Sequence, residues 1–267
     1  MEIRRCEACG MMFQGPGSAA RLDRQLIENI YREYVSHARQ HLLLNSDRLD
    51  RLARLLGRPL NGLKVLEIGA GNGTLGSLLL KAGADYTGIE PLPLCREAAG
   101  RLFPELAARL IPEKFQPGRL PPGSFDLILA TDTLEHMEDP LLCATALPGL
   151  LAPGGKVYLE VPNEALLWLK GRLRIALGMY GRGYPTNPEH LSLFTRRTFG
   201  LFLRNAGLKP LVLLQDSVWG NPSRIKIAFN GAPPPHILAA SWFFRLTRLD
   251  LLLQQGVLTA LAEPAAR

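Results

Sequence analysis

The sequence predicts an α/β protein built on a doubly wound, mostly parallel sheet. From residue 63 onward, short apolar strands alternate with helical patterns, the spacing that parallel strands joined by crossover helices require. The first strand, Val65-Leu66-Glu67-Ile68, runs directly into Gly69-Ala70-Gly71-Asn72-Gly73 and then opens a helix. The chain has 267 residues, 47% hydrophobic and 21% charged. That composition excludes a disordered or collagen-like polymer, and the length allows a large core without disulfides.

The elements follow in order. Residues 1–60 carry Cys6-Glu7-Ala8-Cys9-Gly10, a Gly/Pro/Ser turn at 15–18, and two helical patterns at 22–38 and 49–56, which Gly57 and Pro59 end. They predict an N-terminal helical cap. Residues 61–267 form the second unit. Its strands fall at 65–68, 86–90, 109–111, 125–131, 156–161, 208–214 and 257–262, which makes seven. Its helices fall at 75–82, 95–102, 141–151 and 195–206, with a last helix within 236–254. Residues 164–189 break the rhythm and predict a lid insertion. No internal repeat is evident.

Four cysteines are too few for a disulfide scaffold, which favours a reducing compartment. Residues 1–10 carry no secretory pattern, and Arg245, Arg248 and Asp250 interrupt the apolar stretch 239–253. A cytoplasmic protein without a membrane span is expected. The net charge of +7 admits nucleic acid, an anionic membrane surface or an anionic small substrate as partner.

The glycine loop carries the chemistry. Its glycines let a ligand approach the backbone, and the helix N-terminus behind it offers unpaired N–H groups. Glu90 ends the second strand, 21 residues after Gly69. A carboxylate there can accept hydrogen bonds from two ribose hydroxyls, so a nucleoside-containing cofactor is implied. Residues 71–76 also match the dinucleotide fingerprint Gly-x-Gly-x-x-Gly, a weak signal on its own.

With Glu67 and Gly69 ahead of that fingerprint, the chain resembles class I S-adenosylmethionine-dependent methyltransferases. Phe125-Asp126-Leu127-Ile128-Leu129-Ala130, Leu134-Glu135-His136-Met137-Glu138-Asp139-Pro140, Leu151-Ala152-Pro153-Gly154-Gly155-Lys156, His190-Leu191-Ser192-Leu193-Phe194-Thr195 and Ala206-Gly207-Leu208 extend the resemblance in order. They point to the ubiquinone-biosynthesis and sugar-methyltransferase-like branch. The resemblance implies a Rossmann-like seven-stranded sheet whose last strand is antiparallel, S-adenosyl-L-methionine as cofactor, and a small-molecule acceptor. It places Gly69, Ala70, Gly71 and Gly73 at the cofactor's amino-acid end and Glu67 as the anchor of that loop. It gives Glu90 the ribose, Pro91 and Leu92 the neighbourhood of the adenine, and Thr131 and Asp132 the reacting side. Either Glu113 or Lys114 falls beside the adenine, with Phe115 stacking on the base.

Of five histidines, His136 follows the fourth strand at the ligand-binding edge of such sheets. It is the candidate general base, or else a packed residue at a helix start. Tyr180 and Tyr184 within the insertion and His190 at its end are candidate substrate contacts, with capping or packing the other reading of His190. His236 follows three prolines and reads as a surface residue. Cys6 and Cys9 are half of a zinc knuckle, and His37 and His41 share one helix face. The spacing between the pairs is not that of a zinc finger, and no bound metal is expected. Cys95 and Cys143 read as buried apolar residues.

Residues 165–177 are amphipathic and basic, and suit an anionic or amphiphilic acceptor such as a nucleotide sugar, a lipid-linked intermediate or a quinone precursor. The same segment could rest peripherally on a membrane. Two other readings are weighed against methyl transfer. A nicotinamide dehydrogenase would leave Glu67, the His136 segment and the C-terminal strand unexplained. A nucleic-acid-binding protein would gather its basic residues and carry stacking aromatics, and this chain does neither.

Overall fold

The computed structural model describes residues 3–15, 24–164, 189–217, 234–247 and 256–266. The strands are β1 (Ile3–Arg5), β2 (Met12–Gln14), β3 (Lys64–Ile68), β4 (Asp85–Ile89), β5 (Leu110–Ile111), β6 (Phe125–Thr131), β7 (Leu151–Pro162), β8 (Ser192–Leu193), β9 (Leu208–Ser217) and β10 (Gly256–Pro264). The helices are α1 (Arg24–Ser36), α2 (Ala38–Leu56), α3 (Thr74–Lys81), α4 (Pro93–Leu102), α5 (Pro140–Leu150), α6 (Arg196–Asn205) and α7 (Pro235–Thr247).

The main sheet has seven strands in the order β5-β4-β3-β6-β7-β10-β9. The first five are parallel, and β10 lies antiparallel between β7 and β9. This is the expected fold, with the last strand in the expected sense. Two apolar cores cover its faces. One joins Leu66, Ile128, Leu159 and Phe199. The other joins Leu52 of the cap to Val65, Leu79, Leu127 and Tyr158.

Local sequence sets the element ends. Gly57 stops α2 in a left-handed conformation, φ +64°. Asp139 caps α5 by accepting the Leu142 N–H at 2.9 Å, and Thr195 with Thr198 closes a capping box on α6. The turn expected at Pro153-Gly154-Gly155 lies inside the long β7, where a side chain at Gly155 would meet the Ala152 and Phe125 carbonyl oxygens at 2.9 Å.

The cap is two helices as expected, but its docking was not legible. Arg48 and Arg51 of α2 both pair with Glu160 of β7, a fully buried carboxylate. Arg48 also meets Asp132 at 2.7 Å, and Arg51 meets Asp216. A second sheet, β1-β2-β8, joins the Cys6–Cys9 hairpin to residues 192–193. Strands of two or three residues carry no periodicity to read.

The expected lid and both Tyr180 and Tyr184 fall on residues 165–188, outside the described residues. The last helix is described to Thr247, and His236 on it is exposed. Among the described residues no helix is long and apolar enough to cross a membrane.

Candidate active site

A cleft of about 1250 Å³ opens where β3, β4 and β6 end, the edge at which open α/β sheets bind ligands. The loop after β3 is fastened to the end of β4. The Gly69 and Ala70 N–H groups donate to the Ile89 carbonyl oxygen at 2.8 and 3.0 Å. Gly71 N–H donates to Glu90 Oε2 at 2.7 Å, and Leu92 N–H donates to Glu90 Oε1 at 2.8 Å. Two positions demand glycine. Gly69 has φ +80°, and a Cβ there would sit 2.3 Å from Thr133 Oγ1. Gly71 has φ +54°, and its Cβ would sit 2.6 Å from the Tyr34 hydroxyl. Gly73 is the N-cap of α3 and packs against Leu106 and Ala99.

Glu67 is buried behind the loop and accepts the Tyr86 hydroxyl at 2.6 Å. Burial pushes its carboxyl up to about 8. Glu90 is raised by burial too, against the two N–H bonds that favour its charge. Pro91, Leu92, Lys114 and Phe115 line the next part of the cleft. Glu113 pairs instead with Arg119 at 2.8 Å, so of the two residues weighed for the adenine side Lys114 is the one in the cleft.

The cap forms the facing wall with Tyr31, Tyr34, His41 and Arg48. Asn72 Nδ2 donates to His41 Nδ1 at 3.0 Å, and Asn45 Nδ2 donates to the Thr74 hydroxyl at 2.6 Å. Sequence reasoning missed all four cap residues. Tyr31 and Tyr34, three apart on an amphipathic helix, were a signal, but one that core packing produces equally. His41 was weighed only as a partner for Cys6 and Cys9. Among the described residues no group spaced for a metal forms at those two thiols.

Beyond β6 the wall consists of Thr131, Asp132, Thr133 and His136. Asp132 holds a left-handed φ of +50°; its N–H donates to the Glu160 carbonyl oxygen at 3.0 Å. His136 Nδ1–H donates to the Glu189 carbonyl oxygen at 3.1 Å, which leaves Nε2 as the acceptor. Burial, then the neighbouring His190, push His136 down to about 4. His190 stands behind it, ring centroids 4.9 Å apart, with Nδ1 2.5 Å from Glu164 Oε1. The site thus brings together Glu67, Gly69, Ala70, Gly71, Glu90, Pro91, Phe115, Thr131 and His136. Gly73 and His190 support that wall from behind.

Fold and cleft together define a Rossmann-like enzyme for a nucleoside-containing cofactor. A family model described as a methyltransferase domain matches residues 34–213. Ubiquinone biosynthesis O-methyltransferase of Xanthomonas campestris pv. campestris (strain B100) is 30% identical over 198 residues, covering 68% of this chain and 77% of its own. The protein of that description from Xylella fastidiosa (strain 9a5c) is 32% identical over 194 residues, 68% and 75% of the two chains. Magnesium protoporphyrin IX methyltransferase from Synechocystis PCC 6803, solved with bound SAH, shares the fold. Its TM-score is 0.54 at 16% identity, over 85% of this chain and 84% of that one. The chain belongs to the methyltransferase-domain family, and it is an S-adenosylmethionine-dependent methyltransferase. The dehydrogenase and nucleic-acid readings find no support in these likenesses.

The residues fit the cofactor. Each Glu90 oxygen has one N–H bond, and a carboxylate accepts about four, so capacity for two ribose hydroxyls remains. Glu67 stands ready for a cationic group beside the glycine turn.

Proposed function

We propose that this methyltransferase acts on a hydroxyl oxygen of a small, amphiphilic, quinone-like acceptor. The observation that carries this reading is His136, which lines the wall beyond Thr131 with Nε2 left as an acceptor, while Glu135 and His190 stand close behind it. A thioether or a tertiary amine has no proton to lose; a hydroxyl has one, and a neutral imidazole nitrogen beside it can hold it. The names of the relatives point the same way. Glu90, Asp132, Glu138, Asp139 and Glu189 line the described cleft, which suits a neutral phenolic head better than a nucleotide sugar. The basic stretch that pointed to an anionic acceptor lies outside the described residues.

When bound, S-adenosylmethionine supplies a methyl group already activated on a sulfonium. The chain's own residues position and desolvate. Glu90 takes the ribose hydroxyls, Glu67 the ammonium, and Phe115 with Lys114 flanks the adenine. Thr131 and Asp132 border the reacting side. Tyr34 and His41 of the cap close the cleft over the glycine loop and exclude water, so residues 1–60 act as a cap on the unit formed by 61–267. His136 stays neutral and aims the hydroxyl through Nε2, where proximity contributes most.

The test offers the enzyme S-adenosylmethionine with an alkylcatechol or a nucleotide sugar and follows S-adenosylhomocysteine and product mass. Methylation of a catechol oxygen is expected. Methylation of the sugar with the catechol untouched overturns the reading.

A further inference from the structure

Arg96 sits in the first turn of α4 and does not line the cleft. A cation at that end of a helix opposes the helix dipole and is locally unfavourable. The turn holds no acidic residue to offset it, and Leu92 gives the helix no side-chain cap. Local helix physics therefore does not explain an arginine there. Its contacts lie on the loop before the helix. Arg96 Nη1 has two N–H groups and donates to two successive carbonyl oxygens, that of Glu90 at 2.9 Å and that of Pro91 at 2.6 Å.

That loop presents Glu90 to the cleft. The Glu90 N–H donates to the Ile111 carbonyl oxygen at 3.1 Å, so the peptides on both sides of the residue are held. The side chain is held as well, with the Gly71 and Leu92 N–H groups each on one oxygen. Glu90 is buried, which by itself favours its neutral form. The two N–H groups and the Arg96 guanidinium favour the charged form. A charged carboxylate only accepts hydrogen bonds, whereas a protonated one gives up an acceptor site to its own O–H. Two ribose hydroxyls are donors, so they match the charged form held at a fixed angle.

We propose that Arg96 is the positioning residue of the ribose site, acting through Glu90 by fixing the peptide that carries it. This rests on the placement of the ribose at Glu90. Arg96 does not touch the cofactor. Its guanidinium ties the Glu90 and Pro91 carbonyls to α4, so the carboxylate meets the ribose already aimed, and less freedom is lost when the cofactor binds.

The test compares S-adenosylhomocysteine with its 2′,3′-dideoxy analogue by calorimetry on the full chain. The wild type is expected to prefer S-adenosylhomocysteine, and Glu90→Gln to lose most of that preference. Arg96→Met is expected to bind S-adenosylhomocysteine about 10-fold more weakly and the analogue as the wild type does. Arg96→Lys keeps the charge but not the planar fork, and should fall between. The double variant should bind S-adenosylhomocysteine within about 2-fold of Glu90→Gln alone, since coupled residues do not add. A merely structural arginine would weaken both ligands alike and add its loss to that of Glu90→Gln; either result overturns the proposal. If Arg96→Met fails to fold, Arg96→Lys is read in its place, and no loss or equal losses for the two ligands overturn it. A wild type that binds both ligands equally defeats the ribose placement and the proposal with it. Discrimination that Glu90→Gln removes and Arg96→Met keeps defeats the role of Arg96 alone.

Discussion

The two walls of the cleft are built differently. The cofactor wall is made of contacts close in sequence: Gly71 to Glu90 and Tyr86 to Glu67 are each 19 residues apart, and Leu92 to Glu90 only 2. The acceptor wall is assembled from afar. Gln14 reaches His190 across 176 residues, Arg48 reaches Glu160 across 112 and Asp132 across 84, and His136 reaches Glu189 across 53. One strand–loop–helix–strand unit forms the first wall. The second exists only once the cap, β7 and the segment around His190 have packed together. A fold divided in this way can keep one cofactor and change acceptors by altering the long-range half.

The largest effect should come from breaking the acceptor wall at Glu160. Arg48 and Arg51 pair with it, and the Tyr158 and Thr259 hydroxyls donate to it at 2.6 and 3.1 Å. Glu160→Ala leaves two guanidinium groups in a buried setting without their shared carboxylate. A loss of about 3–5 kcal/mol in stability is expected, measured by chemical denaturation. S-adenosylhomocysteine affinity of the folded fraction should stay within a few-fold, because the contacts of the glycine loop do not pass through Glu160. An affinity that falls with stability would show the walls to be one unit.

Breaking the cofactor wall comes next. Gly69→Ala forces a side chain into φ +80° and places Cβ 2.3 Å from Thr133 Oγ1. The left-handed conformation alone costs an alanine about 1–2 kcal/mol. S-adenosylhomocysteine binding by calorimetry should weaken by about 30- to 100-fold, of the order of 2–3 kcal/mol. Thr133→Ala added to it should recover the steric part and leave the backbone part. Full recovery would mean that the left-handed conformation is not required.

The same division explains what could be read from the sequence. The seven strands, their alternation with helices, and Glu67, Gly69, Gly71 and Glu90 all lie in segments whose pattern is local. The short strands β1, β2 and β8 escaped because three residues carry no period. Tyr34 and His41 escaped because their role depends on where α1 and α2 dock, and that is set by Arg48, Arg51 and Glu160. His190 was legible as a residue of interest. Its partner Glu164 was not, since a glutamate at the end of a strand looks like any solvated charge until a histidine 26 positions further on is seen beside it.

The smallest effect sharpens the comparison from inside the local wall. Glu67 is pushed up to about 8 by burial, against the Tyr86 bond and the distant Arg48, so near pH 7 its carboxyl is mostly protonated in the free enzyme. A carboxyl raised above its ordinary value favours the folded state at low pH. That contribution is whole below about 4.5 and is lost as pH rises through 8. A cofactor ammonium beside the glycine turn favours the charged form, so binding should release a proton. Affinity for S-adenosylhomocysteine should then rise about 5-fold between pH 7 and pH 8, roughly 1 kcal/mol, and flatten above. Glu67→Gln should bind more weakly and without that slope. Equal affinities for the wild type at the two pH values would mean that the ammonium is held elsewhere, and that Glu67 serves the loop through Tyr86 alone.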